Sequence, residues 1–175
     1  TSSQSYVFRA NKPILIENVL DLNNIANIKN DSSKPLKEIE YFSILPLLIQ
    51  ELSTFDAGQE NATKYRRIVA QILVGVFSGQ LKNVEEEVPI AEGLGKVDIK
   101  LKNRNVQGFF KNLKDLHDIK CPSVFAECKN YTEDIGNPEF DQLSGRLDKP
   151  DRGQFGFLVC REIKDKGRVI KHCKE

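Results

Sequence analysis

Methionine is missing from all 175 residues, and the chain begins at Thr1. Processing would explain this, but the expectation is a piece cut from a longer polypeptide whose flanking domains lie elsewhere. Long apolar runs are missing too. Ile44 to Ile49 contains Pro46 and falls far short of the roughly 18 residues that cross a bilayer, so no membrane span is expected. Cys121, Cys128, Cys160 and Cys173 are not closely spaced pairs, and no signal-like run precedes them. This argues against a disulfide-scaffolded secreted domain and for a reduced, cytoplasmic setting. His117 and His172 are the only histidines and lack the spaced partners of a zinc site. Neither sign of charge is in excess: 26 Lys and Arg against 25 Asp and Glu give a net charge of +1. Total charge therefore identifies no partner; phosphate binding would rest on local clusters of Lys and Arg. Internal repeats and low-complexity tracts are also lacking.

What is present, 39% hydrophobic and 29% charged residues, describes an ordinary globular domain that can bury roughly two-thirds of its unfolded surface. Residues 1–35, rich in Asn, Ser and Lys, read as an arm or linker with one short ordered piece around Ile14-Leu15-Ile16. Residues 36–175 form the domain. Leu36 to Leu52 carries apolar residues near helical spacing, and Pro46 in their midst predicts two short helices. Ala57 to Phe77 predicts a longer helix with Tyr65, Ile68, Val69, Ile72, Leu73 and Val76 on one face and Gly79 just past its end.

Val84 to Ile90 and Lys96 to Leu101 are β-branched and alternating, a predicted hairpin across Glu92-Gly93-Leu94-Gly95. Phe109, Phe110, Leu113 and Leu116 return to helical spacing. Ser123 to Lys129 predicts a third strand, Pro138 to Leu147 a helix, and Phe155 to Arg161 a fourth strand. Gly167 to His172 predicts a fifth, paired with the fourth through the turn Lys164-Asp165-Lys166-Gly167. This order implies an α/β fold, a mixed central sheet flanked by helices.

Strand alternation places Val97, Ile99 and Leu101 toward the core and Lys96, Asp98 and Lys100 on the other face; Glu127 and Lys129 share a face on the third strand. If these strands are neighbours, two carboxylates and an ammonium converge where a hard cation and a phosphate can be held together. An exposed Glu-x-Lys is more often a solvated ion pair. Here, however, Gly95-Lys96-Val97-Asp98-Ile99, Phe125-Ala126-Glu127-Cys128-Lys129-Asn130, Phe140-Asp141-Gln142-Leu143 and Gly156-Phe157-Leu158-Val159-Cys160-Arg161 follow one another as an ordered set.

That set, over roughly residues 58–161, resembles the PD-(D/E)xK nuclease superfamily, in particular its branch with a glutamine on the helix after the Glu-x-Lys strand. The resemblance implies a restriction-endonuclease-like core. It matches Asp98 and Glu127 to metal-binding acids, Lys129 to the lysine acting on the nucleophile or transition state, and Gln142 to the helix glutamine near the metal. The main-chain oxygen of Cys128 would be a further ligand. Val97 precedes Asp98 where the family often has proline. The resemblance further implies a Mg2+-dependent endodeoxyribonuclease, with Mn2+ as substitute, acting on DNA in restriction or anti-phage defence and attached to sensing or motor modules. A homodimer is a further expectation. The alternative is a catalytically inactive nucleic-acid-binding or dimerisation module of the same fold.

Glu60 matches a glutamate that the family often places on the helix before the hairpin, although a first-turn glutamate also simply suits the helix dipole. Lys64 and Arg67 share its face and, with Arg146 and Arg161, are candidate phosphate contacts; salt bridges are the competing role. Strand parity turns the Cys128 thiol into the core, which argues against a thiol nucleophile. Glu85-Glu86-Glu87 reads as a charged strand edge that discourages aggregation.

Overall fold

The computed structural model describes residues 4–9, 12–17, 36–89, 95–147 and 153–174, with side chains over 44–89, 95–147 and 153–172. Near the N-terminus β1 (Gln4–Arg9) and β2 (Lys12–Glu17) pair as an antiparallel hairpin. The ordered piece expected at Ile14-Leu15-Ile16 is therefore β2, and it has a partner strand that composition did not reveal. The rest of the expected arm lies outside the described residues, as do residues 92–94 of the expected Glu92–Gly95 turn.

Helix α1 (Leu36–Leu52) runs unbroken through Pro46, which corrects the expectation of two helices. Proline removes one intrahelical hydrogen bond and crowds the preceding turn. Leu45 and Leu48, on either side of it, are buried and hold the helix in place. Leu45 lies so near α2 (Ala62–Val76) that a Cβ at Gly75 would sit 2.8 Å from its Cδ2. The glycine allows the two helices to close. The long helix predicted from Ala57 begins instead as a 3-10 turn over Gln59–Asn61, from which α2 continues.

Four strands form the main sheet in the order β3 (Leu81–Pro89), β4 (Lys96–Asn103), β5 (Ser123–Lys129), β6 (Gly156–Cys160). The first two pairings are antiparallel and β5–β6 is parallel, the parallel step being bridged by helix α4 (Asn137–Leu147). Helix α3 (Phe109–His117) connects β4 to β5. Tyr65, Val69 and Leu73 of α2 pack with Ile99, Leu101, Val124 and Ala126, and the rings of Phe77, Phe110 and Phe155 complete this core. Val97, Phe125 and Leu158 pack with Leu143 and Leu147 of α4 on the opposite face. At Gly156 a Cβ would stand 3.0 Å from both the Phe125 oxygen and Leu143 Cδ1, so the bare backbone lets α4 settle onto the sheet.

The expected fifth strand is a helix, α5 (Lys166–Lys174). Asp165 initiates it by accepting the Arg168 N–H at 2.9 Å, and Val169 is buried with Ile135 and Phe140. The β-branched pair Val169-Ile170 imitated a strand, and capping decided otherwise. Among the described residues no helix is long and apolar enough to cross a membrane.

Asp134 pins the start of this segment, its carboxylate accepting the backbone N–H groups of Lys164 and Asp165 at 2.7 and 2.8 Å. These two bonds, with Arg168 beside them, hold the Asp134 carboxyl below its ordinary pKa. A carboxyl with a lowered native pKa stabilises the fold above its unfolded value of about 4 and ceases to do so as pH falls through the native value. Asp134→Ala should therefore melt below wild type at neutral pH, with a gap that narrows on acidification through and below pH 4. A gap constant from pH 7 to pH 2 in thermal melts would refute this.

Candidate functional site

Hydrogen-bonded pairing of β4 with β5 ends at Ile99 opposite Ala126. One step further the Asp98 carboxylate takes over, its Oδ2 accepting the Cys128 N–H at 2.8 Å. A side chain thus satisfies the backbone donor where the strands part. Regular alternation stops there as well: Val97 is buried, but in the cluster with Phe125 beneath α4, not with Ile99 and Leu101 as expected. Asp98 and Glu127 keep the expected parity, both on the α4 side of the sheet.

Glu127 is 2% exposed, and its Oε1 forms an ion pair with Nη1 of Arg146 from α4. Among the described residues neither atom has a further hydrogen-bond partner. A second guanidinium nitrogen, Nη2, donates to the Lys96 oxygen at 2.6 Å. Burial pushes the Arg146 guanidinium below its ordinary pKa, and the nearby Asp98 charge opposes that shift. Arg146 is therefore committed to Glu127, with the Asp98 charge nearby, and is not offered to a phosphate. One turn earlier on α4, Gln142 Oε1 accepts a hydrogen bond from Lys129 Nζ at 2.9 Å. The spacing of four places both residues on one helical face, so α4 engages the acid and the lysine of the Glu-x-Lys strand together. The Lys129 ammonium also lies 5.9 Å from the centroid of the exposed Tyr131 ring.

Other expected site residues stand apart. Glu60 is exposed in the 3-10 turn, not in the first turn of an α-helix. Its turn is nevertheless anchored at the end of β5. Gly58 N–H donates to the Asn130 oxygen at 2.8 Å, and Asn130 Nδ2 returns a bond to the Gly58 oxygen at 2.9 Å. Gly58 has φ 137, a conformation that favours glycine. Lys64 pairs with Glu51 at 3.3 Å and lies over the Phe55 ring, while Arg67 is exposed. Arg161 donates to Asn130 Oδ1, the Phe55 oxygen and the Leu52 oxygen at 2.8–2.9 Å. With all three guanidinium nitrogens engaged it is a strut that joins the end of α1 to β5.

Asn130, 4% exposed, had no assigned role in the sequence. Its one signal was a polar residue directly after the Glu-x-Lys strand.

Among the described residues no group of three or more His, Cys, Asp and Glu side chains could hold a metal ion. The available oxygen set is the carboxylates of Asp98 and Glu127 with main-chain carbonyls nearby. Hard donors of this kind suit magnesium or manganese, and the buried Glu127 oxygen already attracts a cation, at present the guanidinium. The Cys128 thiol packs against the α2 core. Burial, reinforced by Asp98, raises its pKa and keeps it protonated, so it is no nucleophile. Comparison of the chain with protein families, curated proteins and solved structures returned no match.

Removing one member of a buried ion pair leaves the other charge uncompensated, at a cost of about 3–5 kcal/mol. Arg146→Met should lose stability on that scale in urea denaturation at neutral pH. Adding Glu127→Gln to it should recover part of the loss. Independent, additive losses would show that the pair is not coupled.

Proposed function

We propose that this chain is a divalent-metal-dependent nuclease of restriction-endonuclease-like fold that hydrolyses phosphodiester bonds of DNA. The observation that carries the reading is a Glu127 carboxylate held at 2% exposure on the same sheet face as Asp98, with a Lys129–Gln142 pair alongside. Folding alone gains little from burying an acid, because desolvation offsets much of the attraction within a buried pair. Asp98, Glu127 and the main-chain oxygen of Cys128 would hold Mg2+, with Mn2+ as substitute. When bound, the ion would polarise the scissile phosphate and lower the pKa of a water.

The chain's own residues supply the rest. Gln142 fixes the Lys129 ammonium through one of its three protons, leaving two for phosphate oxygens as charge develops there. Water attacks in place of a side chain, since the only thiol in the motif faces the opposite core. Arg146 serves as counter-ion to Glu127, and a bound metal would take over that role. Restriction or anti-phage defence, attachment to sensing or motor modules, and a homodimer through α1, which exposes Ile44 and Leu47, complete the proposal.

A second reading is favoured by the Glu127–Arg146 pair itself: an inactive nucleic-acid-binding module in which the guanidinium has permanently taken the cation's place. Incubation with supercoiled DNA, linear DNA and RNA, in magnesium, manganese or chelator, separates the two. We expect metal-dependent cutting of DNA that falls by about 100-fold or more in both Asp98→Ala and Lys129→Ala, the scale set by losing one group that stabilises developing charge. Cutting that persists in chelator, or that neither substitution reduces, defeats the nuclease reading. Calorimetric titration with Mn2+ should show tighter binding to Arg146→Met than to wild type. Absence of binding to either protein favours the inactive module.

A further inference from the structure

Two lysines face each other directly across the β3–β4 ladder, Lys82 and Lys102 being Cα partners. Like charges in that relation destabilise a sheet. A bulge creates the arrangement. From Lys82 to Glu85 on β3 is three steps, whereas their partners Lys102 and Lys100 are two apart, and Asn83 absorbs the extra residue at φ 51. The added residue inverts parity, so that Leu81 enters the α2 core while Lys82 turns to the opposite face. The fold requires Leu81 there; any polar residue would serve at 82.

That opposite face is the one carrying Asp98. Asp98, Lys100 and Lys102 alternate along β4, and α4 covers the face over β5, β6 and the start of β4, where Val97, Phe125 and Leu158 meet Leu143 and Leu147 and Arg146 reaches the Lys96 oxygen. Beyond Asp98, over Lys82 of β3 and Lys102 of β4, no described residue covers it, and both lysines are exposed. Lys100 is balanced by Glu85 at 3.7 Å, and Glu86 and Glu87 are both held by Arg66 of α2. The acids of β3 are thus occupied, and among the described residues no ion pair cancels the positive charge of Lys82 and Lys102. Lys102 lies four steps along the strand from Asp98, about 13 Å at roughly 3.3 Å per residue. That length lets one nucleic-acid backbone reach both ends of the segment.

Resting on the reading of Asp98 and Glu127 as a phosphodiester site, we propose that the open β3–β4 face is the track along which a nucleic-acid backbone approaches them. Lys82 and Lys102 hold phosphates several nucleotides from the scissile bond. The partner is a polyanion read through its backbone, so the face favours no base sequence.

The test compares wild type with Lys82→Gln/Lys102→Gln and with Lys111→Gln/Lys114→Gln. The latter removes the same charge from α3, whose buried residues Phe110 and Leu113 join the core on the α2 side. Fluorescence anisotropy of a labelled 30-base-pair DNA duplex in chelator, at several salt concentrations, reads the number of phosphate contacts. With each contact contributing about 0.9 to the slope of log affinity against log salt, the Lys82/Lys102 variant should lose about 1.8, and the control nothing. Melting temperature should not fall, since a repulsion is removed. An unchanged slope, an equal loss in the control, or a lowered melting temperature overturns the track. If the variant binds and cuts like wild type, the track fails and the nuclease stands. Binding with the expected slope change but without cutting in magnesium or manganese leaves the track intact and removes the nuclease.

Discussion

An acid buried inside a protein must meet a cation or give up its charge. Glu127, in the penultimate turn of the pleat of β5, is that acid, and the organisation around it follows from the need to answer it. Helix α4 crosses beneath the sheet because Gly156 leaves room. Its Arg146 then meets Glu127 while Gln142 meets Lys129. Asp98 answers a different need, capping the Cys128 N–H where the strands separate. Three demands that are individually structural thus bring two carboxylates, an ammonium and an amide onto one face.

Much of this was readable from residue order. β4, β5, β6, α2 and α4 follow from apolar spacing, and Asp98, Glu127, Lys129 and Gln142 follow from the order of four short motifs. What escaped was non-local. Nothing near Arg161 reveals that its guanidinium binds the oxygens of Leu52 and Phe55, because those oxygens belong to a helix end distant in the chain. Val169-Ile170 favoured a strand by composition, yet a cap at Asp165 and the buried contact of Val169 made a helix. Pro46 argued for a break that packing by Leu45 and Leu48 suppressed. Local preference is worth tenths of a kcal/mol to a few kcal/mol, and tertiary burial of one large side chain, about 1.5–3 kcal/mol, can reverse it.

The two faces of the sheet divide the labour. Toward α2 lies the large aromatic and aliphatic core, in which Phe77 stacks on Phe157 and meets Phe110 at a tilt, while Phe155 meets Phe110 and Phe157 edge-on. Toward α4 lies a smaller apolar cluster with charged groups beside it. Stability is concentrated on one side and polar chemistry on the other, so side chains near Glu127 can be exchanged without opening the main core.

The Arg161 strut also bears on where an autonomous folding unit begins. Its three hydrogen bonds join the last turn of α1, the loop after it and Asn130, and Asn130 in turn secures the Gly58 turn. A shortened protein starting after residue 56 would strand this guanidinium among half-buried groups and release the loop beside Lys129. Helix α1 is accordingly a brace of the half of the sheet that carries Glu127 and Lys129, and expression boundaries chosen for biochemical work belong upstream of Leu36.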